Sequence, residues 1–326
     1  MPQDRAAFIG LDIGNTRLTA GAAQADGTLV YSAQRLAPSH EGAPAAVPML
    51  LAMAEEACAA ARAQGLAPAA IGLGFGGPVD YERQATRQSF HSPGWEGFRL
   101  TDVFAERFHL PARLDNDANA GGLAEALFGA GRGFDVSLYV NVGTGIGGAV
   151  IIRGDIHHGA TGVAGEIGHA VVDPAGPRCH CGKGGCAEAM ASGTAIARAA
   201  KEAGVCGASP DGPTGREVVV AAGRGDERCL AVVRAAASVL GLAIANAVNV
   251  LDPGVVVVGG GVAEAGDIWF EPLRESFTEY AVSPPAEVTR IVPAALGYGA
   301  GVLGATALAI RAAGMLATRQ EGPPVG

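Results

Sequence analysis

Apolar positions in the first part of the chain gather into short runs that end on glycine. Phe8-Ile9-Gly10-Leu11-Asp12-Ile13 stops at Gly14-Asn15-Thr16 and resumes as Leu18-Thr19-Ala20-Gly21, which predicts strand, tight turn, strand. Asp26-Gly27 then turns into a third strand at Leu29-Val30-Tyr31. Ile71-Gly72-Leu73-Gly74-Phe75 predicts another buried strand, ending at Gly76-Gly77-Pro78. Helical spacing marks residues 49–64, an Ala-rich run closed by Gly65, and recurs at 195–203, 229–250 and 301–313. Residues 136–142 lead into Gly143-Thr144-Gly145-Ile146-Gly147-Gly148 and resume as Ala149-Val150-Ile151-Ile152, so a second half opens as the first does. A third glycine turn, Gly259-Gly260-Gly261, ends the run Val255-Val256-Val257-Val258.

Strands mixed with helices throughout place the chain in the α/β class, and the repeated opening predicts two related lobes with a cleft between them. We expect a small α/β lobe over residues 1–115 and a large α/β lobe over 116–300. A C-terminal helix of about 301–326 packs back on the small lobe, and Gly322-Pro323-Pro324 marks fraying from Thr318 onward.

Charge narrows the partners. A formal net charge of −9 and a pI near 5.3 oppose attraction to nucleic acid or an anionic membrane. The most apolar stretch, residues 231–250, is broken by Arg234, Asn246 and Asn249 and reads as a buried helix and not as a membrane span.

The glycine runs at 72–77 and 143–148 both satisfy a bare G-x-G-x-x-G, but no helix opens at the third glycine of either, and Gly182-Lys183 lacks the Ser or Thr of a phosphate-binding P-loop. Hairpin tips rich in Gly and Thr can still hold phosphate through converging backbone N–H groups. Gly14-Asn15-Thr16 and Gly143-Thr144-Gly145 are therefore candidate phosphate turns, with Asp12 a partner for hydrated Mg²⁺. Further on, Asp115-Asn116-Asp117-Ala118-Asn119 crowds four polar side chains at a predicted helix start, where one cap suffices. A carboxylate there can take the proton of a substrate hydroxyl attacking phosphorus.

Cys179, Cys181 and Cys186, with His169 or His180 as fourth ligand, can close a tetrahedral zinc shell. Cys179 and Cys181 are too close to pair as a disulfide. No segment at the start resembles a secretory signal, so a reducing, cytoplasmic setting is expected. Glu166 and Glu188 flank these ligands, and a metal fixing the loops would fix two hydrogen-bond acceptors for a polar substrate. Cys58, Cys206 and Cys229 read as ordinary small residues.

Asn116-Asp117-Ala118-Asn119, the glycine run 143–148, Glu166-Ile167-Gly168-His169 and the Cys-x-Cys-Gly-x-x-Gly-Cys-x-Glu run ending at Glu188 together resemble the ROK family of bacterial sugar kinases, and within it the ATP-dependent glucokinases. The resemblance runs from Asp12 to about Thr306. It implies an actin-like, ribonuclease-H-like fold closing on a sugar and Mg-ATP, with glucose phosphorylated at its 6-hydroxyl. Asp117 would be the general base, and Gly77, Asn116, Asp117, Glu166, His169 and Glu188 would contact the sugar. His169 would also ligate a structural Zn²⁺ with Cys179, Cys181 and Cys186. Asp12, Gly14, Asn15, Thr16 and Arg17, with Gly143, Thr144 and Gly145, would cradle the phosphates, and Gly260 and Gly261 would lie against the adenosine. Relatives form dimers or tetramers, which implies a homodimer or homotetramer.

The chain departs from the family pattern where Asn15 replaces a glycine and Arg17 a lysine, and more mildly at Gly76 and Ala149. N-acetylmannosamine, N-acetylglucosamine, mannose and fructose are alternative acceptors. A non-catalytic, sugar-sensing regulator of the same fold is the other reading.

Overall fold

The computed structural model describes residues 5–87, 92–205, 207 and 209–315 of the 326-residue chain. Cys206 and the tail expected to fray from Thr318 lie outside them. In chain order the elements begin β1 (Ala6–Ile13), β2 (Arg17–Ala23), β3 (Leu29–Leu36), α1 (Ala43–Ala63), β4 (Ala67–Phe75), β5 (Val79–Asp80), β6 (Ala85–Thr86), α2 (Leu100–Phe108), β7 (Ala112–Asn116) and α3 (Asp117–Phe128). They continue as β8 (Val136–Val142), β9 (Ile146–Ile152), β10 (Asp155–Ile156), α4 (Ala187–Ala191), α5 (Gly193–Glu202), α6 (Gly215–Gly223), α7 (Glu227–Leu251), β11 (Val255–Gly259), α8 (Asp267–Tyr280), α9 (Pro285–Val288), β12 (Arg290–Pro293) and α10 (Ala300–Ala312).

These form two compact units. Within the described residues, the first unit takes residues up to Gly133, Ile151–Ala164 and the chain from Leu296 on, and the second takes Phe134–Val150 and Gly165–Ala295. This grouping differs from a single division after residue 115, because α3 packs on α10 and stays with the strands that α10 covers.

The sheet of the first unit runs β3-β2-β1-β4-β7. β1 pairs parallel with β4 and β4 with β7, whereas β2 is antiparallel to both its neighbours. Alternation along the strands assigns the two faces. Ile9, Leu11, Ile13, Ile71, Leu73 and Phe75 pack with Leu50 and Met53 of α1 and Leu100 and Phe104 of α2. Phe8 and Ala70 take the opposite face, with Ala309 and Ile310 of α10. On that second face Gly72 leaves no room for a side chain: a Cβ there would overlap the carbonyl oxygen of Ala305. α1 starts six residues before the expected helix, since Pro44 fits the first turn, where its missing N–H costs nothing.

The sheet of the second unit runs β9-β8-β11-β12, with β11 parallel to both β8 and β12. Every residue of β11 is buried, as expected of a central parallel strand. Ile151 and Ile152 at the end of β9 belong to the first unit and pair there with β10. α7, capped by Asp226, buries Val233, Ala237, Leu240, Ile244 and Val248 and packs on α8. α1 and α7 are long and apolar enough by length and composition to cross a membrane, but each spends one face on the core of its own unit.

Candidate active site

In the first unit the candidate residues gather at the carboxyl ends of three adjacent parallel strands, where open α/β sheets bind their ligands. Asp12 lies near the end of β1, in register with Gly74 of β4. Phe75 of β4 is in register with Asn116, the last residue of β7. Gly76 N–H donates to Ile13 O at 2.9 Å and Asn116 Nδ2 to Gly77 O at 3.2 Å, so the three strand ends are cross-linked. Asp117 is the first residue of α3 and is half-buried. Burial, and secondarily the charge of Asp117, push the Asp12 carboxyl up to about 7.

The polar crowd before α3 divides its labour. Asn116 Oδ1 caps the helix, accepting from Ala118 N–H at 2.9 Å and Asn119 N–H at 3.4 Å. Asn119 Nδ2 donates to buried Asp115 Oδ1 at 2.8 Å. Asp115 and Asn119 are thus engaged within the segment, and Asp117 Oδ1 accepts from Ala118 N–H at 2.8 Å at the helix start.

The first phosphate turn closes by Gly14 N–H donating to Arg17 O at 3.0 Å, with Asn15, Thr16 and Arg17 exposed. Asn15 is not among the residues with positive φ, so the family's glycine is not needed there and the turn forms without strain. Arg17 Nη1 donates to Gln34 Oε1 at 3.0 Å.

In the second unit β8 and β11 end side by side, with Gly259 in register with Asn141. That brings the turn Gly143-Thr144-Gly145 next to Gly260 and Gly261, where Val262 N–H donates to Val142 O at 3.1 Å. The turn is held from the far side by α5, through Gly193 N–H to Gly143 O at 2.8 Å and Thr194 Oγ1 to Thr144 O at 2.8 Å. Glu188, in the first turn of α4, accepts from Ile146 N–H through Oε2 at 2.9 Å. Gly145 is what lets it approach, because a Cβ at 145 would overlap Glu188 Oε2.

The four expected metal ligands converge. The ligand atoms of His169, Cys179, Cys181 and Cys186 all lie within 4.8 Å of one another. Cys179 Sγ is 3.6 Å from His169 Nδ1 and Cys181 Sγ is 3.6 Å from Cys186 Sγ, far too long for a disulfide. Tetrahedral zinc at ordinary bond lengths gives edges of about 3.6–3.8 Å, so the donor set fits the ion. Burial pushes the Cys186 thiol up to about 12 and raises Cys179, while the Lys183 backbone N–H lowers Cys181. Three thiolates here need a cation beside them.

Geometry also chooses the imidazole. His169 Nδ1 faces the sulfurs and its Nε2 lies 3.8 Å from Glu166 Oε2, the carboxylate-histidine-metal order that orients a ligand. His180 instead spends Nδ1 on Glu188 Oε1 at 3.0 Å.

Sequence reading does not single out two features of the first unit. One is Gly301 in the first turn of α10, where a Cβ would overlap Asp12 Oδ2, so the amino end of that helix abuts the carboxylate. The run Gly297-Tyr298-Gly299-Ala300-Gly301 is its only sequence signal. The other is His158, bonded to Asp115, for which the sequence offers no signal beyond a polar loop.

Known proteins resemble this chain over nearly its whole length. The ROK family profile matches residues 8–312. A glucokinase of Thermotoga maritima is 34% identical over 310 residues, covering 92% of this chain and 96% of that protein. A ROK hexokinase from Thermus thermophilus superposes with a TM-score of 0.82 at 37% identity, covering 94% of this chain and 98% of that one. A ROK family glucokinase from Streptomyces griseus, solved with glucose and AMPPNP, gives a TM-score of 0.79 at 34% identity, over 94% of this chain and 100% of that one. The chain belongs to the ROK family and has the two-lobed, actin-like α/β fold of its sugar kinases.

Proposed function

We propose that this protein transfers the γ-phosphoryl group of ATP to the 6-hydroxyl of a hexose, with glucose its principal substrate. The observation that carries the reading is Asp117, set at the carboxyl end of β7 beside Asp12, at the start of the helix that Asn116 caps. The similarity to glucokinases, one of them solved with glucose and an ATP analogue, supports the choice of sugar and nucleotide.

In this mechanism the Asp117 carboxylate accepts the 6-hydroxyl proton as the oxygen bonds to phosphorus and the bond to the bridging oxygen of ADP breaks. The transition state is loose and the proton moves late, so an ordinary aspartate suffices. Asn116, Gly77, Glu166, His169 and Glu188 orient the remaining hydroxyls. The turns at 14–17 and 143–145 hold phosphate oxygens by backbone N–H groups, and Gly260 and Gly261 leave flat backbone for the adenosine. Asp12 would face a bound magnesium ion, which would neutralise charge on the phosphates. Zinc, when bound by His169, Cys179, Cys181 and Cys186, fixes the loops that carry Glu166 and Glu188.

The same reading expects a homodimer or homotetramer in the cytoplasm, where the thiols stay reduced, and no nucleic-acid or membrane partner for a chain of net charge −9. The test is a coupled ADP-release assay on glucose, mannose, fructose, N-acetylmannosamine and N-acetylglucosamine. Glucose should give the highest kcat/KM, and absence of sugar-dependent ADP with every acceptor would leave the sugar-sensing regulator as the answer. Asp117→Asn should keep sugar binding and lower kcat by ~10²-fold or more.

A further inference from the structure

Asp115, next to last in β7, has its side chain 2% exposed, and a carboxylate so buried must have its oxygens satisfied. Oδ1 accepts from Asn116 N–H at 2.8 Å and Asn119 Nδ2 at 2.8 Å. Oδ2 is left to His158 Nε2, at 2.6 Å and 43 residues away in the chain. A carboxylate only accepts, so Nε2 carries the hydrogen. The imidazole is itself 9% exposed and stacks flat on Tyr81, centroids 3.9 Å apart and planes 6° from parallel. It therefore has a single posture, fixed by the ring on one side and the carboxylate on the other.

Both ends of His158 bear on proposed site residues. Through Asp115 it holds the segment 115–119, whose next residues are the cap Asn116 and the base Asp117. Through its own carbonyl, which accepts from Ala164 N–H at 3.1 Å, it closes the loop that runs directly into Gly165 and Glu166. Without the Nε2 hydrogen, Asp115 Oδ2 would sit buried and unpaired. Its relief is to rotate toward solvent, which breaks both bonds to Oδ1, because Asn116 N–H and Asn119 Nδ2 share that one atom. The backbone that presents Asp117 then moves with it.

We propose that His158 is a positioning residue for phosphoryl transfer, its hydrogen bond to Asp115 setting the place of Asp117. The inference rests on the assignment of Asp117 as base under the function proposed above. A base displaced by about 1 Å costs on the order of 10²-fold in rate while sugar affinity, supplied by other groups, stays.

The experiment measures kcat, and glucose Kd by titration, for His158→Phe, His158→Gln and Asp117→Asn in the full-length protein. Phe keeps the stack on Tyr81 and loses the donor; Gln places an amide N–H near the Nε2 position. His158→Phe should lower kcat by about 10- to 100-fold with glucose Kd within about threefold, and His158→Gln should recover most of the rate. Wild-type kcat in His158→Phe overturns the inference, as does an equal loss in both variants, which would mean packing and not the hydrogen bond. Should His158→Phe fail to fold, Asp115→Asn is read instead: a matching fall in kcat supports the proposal and wild-type kcat overturns it. Asp117→Asn separates the two failures. If it keeps its turnover, the base assignment falls and this inference with it; if it is inactive while His158→Phe is fully active, only the role of His158 falls.

Discussion

Replacing Asp12 by Asn should stabilise the unliganded protein, and by more as pH rises. The carboxyl stands at about 7 in the folded chain against an ordinary 3.8, raised by burial and by Asp117. Below pH ~4 the side chain is neutral both folded and unfolded, and the burial costs nothing. Between ~4 and ~7 the unfolded chain gives up the proton while the folded chain keeps it, so stability falls by about 1.4 kcal/mol per pH unit. Above ~7 both forms are charged and the loss levels off at about 4 kcal/mol. Between pH 5.5 and 8.5 the gap between variant and wild type should therefore widen by about 2 kcal/mol, or about 4–8 °C in Tm for a unit of this size.

The assay is thermal unfolding of both proteins without nucleotide or magnesium across that range. Every other titrating group is common to the two, so the difference isolates Asp12. Mg-ATP should narrow the gap by giving the wild-type carboxylate a cation to face, and Asp12→Asn should lose that response together with turnover. A gap that is flat with pH, or a variant less stable than wild type at pH 8.5, would refute a carboxyl raised by its surroundings at this position. Stability gained with activity lost is the pattern of a residue retained for function.

Cys181→Ser should leave metal analysis short of one zinc per chain and raise the glucose KM by about 10-fold or more, as loss of a brace around bound groups does; full zinc content would refute the ligand set. Gly145→Ala should push the Glu188 carboxylate off Ile146 N–H, raising the glucose KM by about 10-fold with Tm nearly unchanged; an unaltered KM would separate Glu188 from the sugar. Gly72→Val should lower urea-unfolding stability by about 3 kcal/mol or more, because the new side chain meets backbone of α10 and not a movable side chain; unchanged stability would mean α10 can slide.

Legibility in the sequence followed chain distance. The strand-turn-strand openings and the clustering of the three cysteines were readable because their parts lie within a few residues of one another: Cys179, Cys181 and Cys186 are so close that any compact loop brings them together. Spacing alone left His169 and His180 both open, and only the resemblance pointed to His169; in the structure Glu188 takes up His180 and Glu166 faces the far nitrogen of His169. The surplus of polar residues before α3 marked a segment that the structure sets at the carboxyl end of β7, although it spends Asp115, Asn119 and half of Asn116 on holding the turn itself. α8 contains Pro272, which a sequence reading takes as a break; tertiary packing of Trp269, Leu273 and Phe277 overrides it. His158 and Gly301 meet their partners only through the tertiary fold, and no periodicity announces them.

The loop from Val171 to Cys186 is where the proposed zinc would act. Its buried positions are Cys179, Gly185 and Cys186, and its valines at 171 and 172 are exposed or half-exposed. Such a segment has almost no apolar surface to bury, so packing alone cannot hold it in one conformation. Two isolated bridges, Val171 to Cys186 and Arg178 to Gly184, and the turn closed by Cys179 N–H to Lys183 O at 2.8 Å shape it locally. Ala187 N–H to Ala170 O at 2.9 Å ties its end to the 3₁₀ turn at Ile167–His169, and the proposed four-coordinate ion shared by His169 and the three cysteines would add a tie through side chains. The ion's reach would then extend to Glu188, two residues past Cys186, which touches Ile146 beside the turn at 143–145. Under the proposed function, the metal, the acceptors Glu166 and Glu188 and that turn would form one connected block within the second unit, with coordination supplying the rigidity that so little buried apolar surface cannot.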